Sequence, residues 1–144
     1  MTHLTSEPLD ADRLLREVAA PNRGGLALFV GTVRDHQEGK RVLRLEYTAY
    51  PEMAEAEFER ILREAEGRWP VRAAVVHRLG VLEVGEASVV VAAGGAHRDE
   101  AFAACRYVIE ELKRRVPIWK REHYATGETG WVESGADPAE VEAP

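Results

Sequence analysis

Cysteine is nearly absent from this sequence. Cys105 stands alone among 144 residues, which excludes an intrachain disulfide and any zinc centre built on several thiolates. Long apolar runs are missing too, since none approaches the roughly 18 residues that a membrane-spanning helix needs. Residues 1–8 lack the pattern of a secretory leader, so the chain is expected to be cytoplasmic, with no membrane partner. A positive charge balance is also lacking. Lys and Arg total 19 against 25 Asp and Glu, a formal charge of -6, whereas binding a nucleic-acid backbone calls for a dominant basic surface. No nucleic-acid partner is expected. The five histidines, His3, His36, His77, His97 and His123, show no ligand pairing at helix or hairpin spacing. They give no reason to assign a metal site, and nothing else in the chain calls for a cofactor.

What is present is ordinary soluble-protein material, 45% hydrophobic and 31% charged, in a length that suits one domain with a core of its own. That domain is expected over residues 1–133. Residues 134–144 lack large apolar side chains except Val141 and are expected to form a mobile tail. Positive charge is concentrated locally: residues 97–123 hold seven Lys or Arg against five acids. A small anionic ligand fits that distribution better than a polymer.

Residues 97–124 organise the rest. Phe102, Cys105, Ile109, Leu112 and Val116 recur at spacings of three and four, which predicts one helix face turned to a core. Asp99 and Glu100 in the first turn and Lys113, Arg114 and Arg115 in the last suit the helix dipole. Pro117 stops the helix, because the residue before a proline is pushed out of the helical region. Residues 118–124 then read as a strand carrying Lys120 and Arg121. A chain that turns back at Pro117 brings Lys113 and Lys120 to one pocket wall, where like-charge repulsion lowers both pKa values. Such a pair suits anion holding and proton movement near neutral pH. The plainer alternative is a helix end capped by three solvated cations, with Lys120 on an exposed face.

Upstream, Asp10 is expected to cap a short helix burying Leu14, Leu15 and Val18. Residues 26–33 are apolar at successive positions, as in a strand buried inside a sheet, and they lead to Arg34, a cation at a strand end. Residues 41–50 alternate, with Leu43, Leu45, Tyr47 and Ala49 on one face, and are expected to pair antiparallel with the first strand. Pro51 opens a second helix with a buried stripe of Met53, Phe58, Ile61, Leu62 and Ala65 and a cap at Gly67. Two more strands follow, over residues 71–78 and 87–93. His77 reads as a satisfied structural histidine, and Gly94-Gly95-Ala96-His97-Arg98 as a glycine-rich turn offering an anion site at a helix start. Gly127 and Gly130 mark a hairpin that returns Trp131 and Val132 against the preceding strand. The fold class is α+β, with helices packed on mainly antiparallel sheet.

From Arg98 to Lys113 a continuous helix covers about 22 Å. One small ligand does not touch both ends, so either the two cationic ends are unrelated or a second copy of the chain brings its His97-Arg98 end to the Lys113-Lys120 end. The second case requires a two-fold dimer with composite sites.

The blocks Phe29 to Arg34, Glu46-Tyr47-Thr48-Ala49-Tyr50 with Met53-Ala54, His77-Arg78-Leu79-Gly80, Ala96-His97-Arg98 with Ala101-Phe102, Leu112-Lys113, Pro117 to Glu122, and Trp131-Val132 closely resemble the large, catalytic subunit of molybdopterin synthase. The resemblance implies an α/β-hammerhead-type domain and a homodimer core of a heterotetramer, binding two copies of a small ubiquitin-like sulfur-carrier subunit. That carrier's C-terminal Gly-Gly thiocarboxylate is expected to donate sulfur to cyclic pyranopterin monophosphate, building the dithiolene of molybdopterin. By position, Lys113 and Lys120 match the family's catalytic lysines. Thr32, Val33, Arg34, His97, Arg98, Lys113, Lys120, Arg121 and Glu122 match its substrate-binding segments, with His97 and Arg98 expected from the neighbouring protomer. Three rival expectations are a non-catalytic dimeric scaffold for an anionic pterin or nucleotide and a partner protein, Schiff-base chemistry on Lys113, and a persulfide role for Cys105.

Overall fold

The strand period decides the layering. Residues 73–77 and 88–95 are buried without a break, so both faces of these strands need cover. A computed structural model, which describes residues 3–133, shows how they receive it. The elements in chain order are β1 (Leu4–Thr5), α1 (Ala11–Val18), β2 (Gly25–Thr32), β3 (His36–Gln37), β4 (Lys40–Ala49), α2 (Pro51–Arg68), β5 (Val71–Arg78), β6 (Gly80–Glu83), β7 (Ala87–Gly95), α3 (Arg98–Arg115), β8 (Ile118–Tyr124) and β9 (Thr129–Glu133). The expected tail, residues 134–144, lies outside the described residues.

One sheet has the order β1-β5-β7-β2, antiparallel except for the short parallel pair β1 and β5. Ala73, Val75, Val89, Val91 and Ala93 point to the main core with α2 and α3, while Ala74, Val76, Val90 and Ala92 meet Leu14 and Val18 of α1 on the other face. The second sheet runs β3-β4-β8-β9, with β6 also paired to β4, and contributes Leu45, Tyr47, Leu82 and Ile118 to the same main core. This is an α+β domain of the hammerhead type, as expected.

Several local expectations are corrected. β4 does not pair with β2; it pairs with β8, β6 and β3. The chain leaves the first sheet at the irregularity between Gly31 and Thr32, tied down by Val33 N–H to the Glu86 carbonyl and Gly85 N–H to the Val33 carbonyl. β2 is consequently an edge strand, and Leu26, Leu28, Phe29 and Val30 are each about two-fifths exposed rather than buried. In β4 a bulge between Val42 and Arg44 shifts the alternation, burying Val42 and exposing Leu43. Met53 and Phe102 are 64% and 65% exposed, and the neighbouring Ala54 and Ala101 take the buried positions. Both helices thus face their neighbours with small residues at these turns, which allows close packing. α2 runs through Gly67 to Arg68. Gly94 and Gly95 belong to β7 and form no turn. Gly94 is needed because any Cβ there would run into the Val18 carbonyl oxygen at the end of α1.

Arg115 ties α3 to α2. Its guanidinium donates to both carboxylate oxygens of Glu64 at 2.7 and 3.0 Å, to Glu111 at 3.2 Å and to Glu57 at 3.5 Å. Arg115 and then the Tyr107 hydroxyl hold the Glu64 carboxyl down at about 2.

Two outcomes follow from this packing. Gly94→Ala is expected to destabilise the fold by about 2 kcal/mol through overpacking, read as a lowered urea midpoint. Because the Glu64 pKa is depressed on folding, its contribution is present above the usual carboxylate value of 4.5 and is lost as pH falls towards about 2. Arg115→Ala should therefore be less stable than wild type at neutral pH, with the gap closing across that window in denaturant titrations.

Candidate active site

The main chain brings the cations together. α3 ends at Arg115, and Val116 closes its last turn by an N–H bond to the Leu112 carbonyl. Pro117 follows, and β8 begins at Ile118, so Lys113 and Lys120 are separated by one sharp reversal. On β8 the side chains alternate. Ile118, Lys120 and Glu122 face inward, while Arg121 turns to the other side, where its guanidinium lies 5.7 Å from the Trp131 ring.

A cavity of about 360 Å³ opens where the two sheets part. Thr32, Arg34, Lys113, Lys120 and Glu122 all line it, together with His36, Gln37, Tyr47, Ser88 and an apolar floor that includes Val42, Leu45 and Val89. Of the residues singled out in the sequence, five therefore share one wall. Val33 is buried beneath it, Arg121 faces away, and His97 and Arg98 sit at the opposite end of α3, outside the cavity. At that helix start the His97 N–H is bonded to the Glu100 side chain at 2.9 Å.

The electrostatics are those of crowded cations. Burial, above all, lowers the Lys113 pKa, and the charges of Lys120 and Arg34 lower it further. Lys113 is nonetheless in contact with solvent. Burial likewise lowers Lys120, with Arg34 adding to the effect and Glu122 opposing it. Desolvation thus outweighs the mutual repulsion expected from the sequence. Glu122 is 1% exposed, and its Oε1 has no hydrogen-bond partner among the described residues. Burial raises its carboxyl pKa despite the nearby Lys120 and Arg34. Arg34 donates to the neutral Gln37 side chain at 2.7 Å, an arrangement that fixes the guanidinium and leaves its charge uncancelled.

Behind the wall, His77 is buried and pushed down to about 4 by desolvation. It is neutral at physiological pH, its Nδ1 donating to the Arg78 carbonyl at 2.8 Å. Cys105 lies against the sheet, its thiol pushed up to about 11 by burial, which leaves almost no reactive thiolate. Among the described residues no three His, Cys, Asp or Glu are grouped to hold a metal ion, and no helix is long and apolar enough to cross a membrane. A separate hollow of about 400 Å³ lies between α1, α2 and β5. Its Arg13 and Arg72 are matched by Glu17 and Glu66, and its His3 by Glu59, while its Arg63 donates to the Glu59 carbonyl.

Sequence reasoning missed Tyr47, Ser88 and Gln37 as cavity residues. The usable signal was polarity: Tyr47 and Ser88 carry hydroxyls at positions that the strand pattern turns inward.

Comparison with known proteins identifies the family and the fold. The family model described as MoaE protein matches residues 4–115. The molybdopterin synthase catalytic subunit of Bos taurus is 48% identical over 128 residues, 88% of this chain and 68% of that one. Molybdopterin synthase catalytic subunit 1 of Mycobacterium tuberculosis is 48% identical over 130 residues, 90% and 88% of the two chains. The crystal structure of molybdopterin synthase from Staphylococcus aureus matches with a TM-score of 0.87 at 32% identity, covering 91% of this chain and 96% of that one. A complex of subunits 1 and 2 of molybdopterin-converting factor from Helicobacter pylori matches with a TM-score of 0.72 at 26% identity, covering 88% and 86%. A family match over most of the chain and relatives of nearly one-half identity settle the assignment: this chain belongs to the MoaE family, whose curated relatives are molybdopterin synthase catalytic subunits.

Proposed function

We propose that this chain is the sulfur-transferring subunit of a molybdopterin synthase. It takes sulfur from the C-terminal Gly-Gly thiocarboxylate of a small ubiquitin-like carrier and delivers it to cyclic pyranopterin monophosphate, building the dithiolene. The observation that carries this reading is the shared cavity of Lys113, Lys120 and Arg34, in which both amines have lowered pKa values. Arg34, with its planar guanidinium, suits the cyclic phosphate through charge-assisted hydrogen bonds. The lysines supply proton transfer and stabilise negative charge that develops as the thiocarboxylate sulfur attacks. A Gly-Gly terminus is thin enough to enter, and its negative end is drawn to the same cations.

The working unit is a homodimer carrying two carrier subunits. His97 and Arg98 of one copy complete the cavity of the other, which overcomes the span of about 22 Å along α3. The exposed apolar residues of β2, and Phe102 on the helix that packs along it, support a second copy at this face. The complex of two different subunits seen for the Helicobacter pylori relative supports the carrier.

Lys113→Ala and Lys120→Ala are each expected to lower product formation by about 10²–10⁴, read by mass-spectrometric detection of sulfur gain in the precursor. Cys105→Ala should stay near wild type, and a large loss there would favour a persulfide route instead. Since a depressed lysine pKa yields the neutral amine at lower pH, turnover should rise with pH and level off below the usual lysine value of about 10.4. A rising limb centred on that usual value would count against proton transfer by these amines.

A further inference from the structure

β4 and β8 run antiparallel with Tyr47 directly opposite Lys120 and Leu45 opposite Glu122. Directly opposed residues project from the same face of a sheet, with their Cβ atoms about 4.5–5.5 Å apart. Tyr47 therefore stands on the cavity side next to Lys120, and it lines the cavity while being only 8% exposed. Its ring is held from behind: the His77 ring meets it nearly perpendicularly, with centroids 4.9 Å apart. Its hydroxyl neighbours that of Ser88, which in turn donates to the Gly31 carbonyl at 3.3 Å. That last bond is long, at the weak end for an O–H donor, so the two hydroxyls reorient at little cost when another acceptor arrives.

The geometry points to Tyr47 as a further substrate-contacting residue, its phenol hydroxyl donating a hydrogen bond to a substrate oxygen beside Lys120. The chemistry of the cavity gives this donor a distinct use. Arg34, Lys113 and Lys120 repel one another, and each added cation raises that cost. A neutral hydroxyl adds a directed contact without adding charge. Burial pushes the phenol pKa up, which favours the protonated, donating form. A ligand that lacks an acceptor at this point leaves the hydroxyl with only the Ser88 hydroxyl beside it, which turns the contact into a selection step.

This inference rests on the proposed sulfur transfer, and its test separates the two. Wild type, Tyr47→Phe and Lys120→Ala are assayed with thiocarboxylated carrier and cyclic pyranopterin monophosphate, and binding of the latter is followed by calorimetry. Tyr47→Phe is expected to lose about ten- to hundredfold in kcat/KM or affinity, the range of a hydrogen bond to a charged group, while its unfolding midpoint stays within a few degrees of wild type. Wild type labelled at the tyrosine ζ-carbons gives a second readout that does not depend on the variant folding: the Tyr47 resonance should shift when the pterin is added. Full activity in Tyr47→Phe alongside a crippled Lys120→Ala, or an unmoved resonance in a saturated complex, overturns the role of Tyr47 and leaves the sulfur-transfer reading standing. A wild type without turnover overturns both.

Discussion

The short connection from α3 to β8 is the constraint on which the rest depends. Val116 is still bonded to the last helical turn, Pro117 cannot continue it, and Ile118 already donates back to the Val116 carbonyl at 2.8 Å. The Pro117 carbonyl is in turn held by the Tyr50 N–H at 3.3 Å, so the reversal is fixed to the start of α2. Two lysines seven residues apart are thereby placed on one wall by backbone geometry, without relying on the conformations of long flexible side chains. The anchoring extends through Arg115, whose four carboxylate contacts fix the end of the helix that carries Lys113.

Crowding cations around a partly desolvated cavity is unfavourable, and the fold tolerates it because the opposing interactions are strong. The central strands are covered on both faces, so the sheet that flanks the cavity does not depend on the cavity for its stability. Among the described residues that line the site, only Glu122 is available as a counter-charge, and it is itself desolvated. An incoming anion relieves both the repulsion among the amines and the exposure of Arg34. Binding and proton exchange are thus coupled, since the ligand that compensates the charge also restores the amines' affinity for protons.

Much of this was legible in the sequence, and the reasons are physical. Pro117 and the dipole-matched charges marked the end of α3, and the ordinary consequence of a sharp reversal brought Lys113 to Lys120. Arg34 was found because a strand end is a fixed place to mount a cation. Strand alternation alone separates Lys120 from Arg121. What stayed hidden was pairing and exposure. Nothing local tells β4 to choose β8 over β2, because strand partners are set by packing far along the chain. Phe102, Met53 and the apolar residues of β2 read as core because hydrophobicity signals burial without saying against what. Gly94 and Gly95 read as a turn, yet their lack of side chains serves a close contact between a strand and the end of α1. Tyr47 was placed on the right face of its strand, but its hydroxyl was overlooked among core neighbours.

The β2 edge has a consequence for the free chain. Its eight residues, Gly25–Thr32, contain no charge and no proline, and edge strands without such guards are templates for adding strands from other molecules. A newly made chain therefore carries a self-association hazard that only a specific cover removes. Correct assembly competes with aggregation, and protein concentration during synthesis bears on how much of the chain stays soluble.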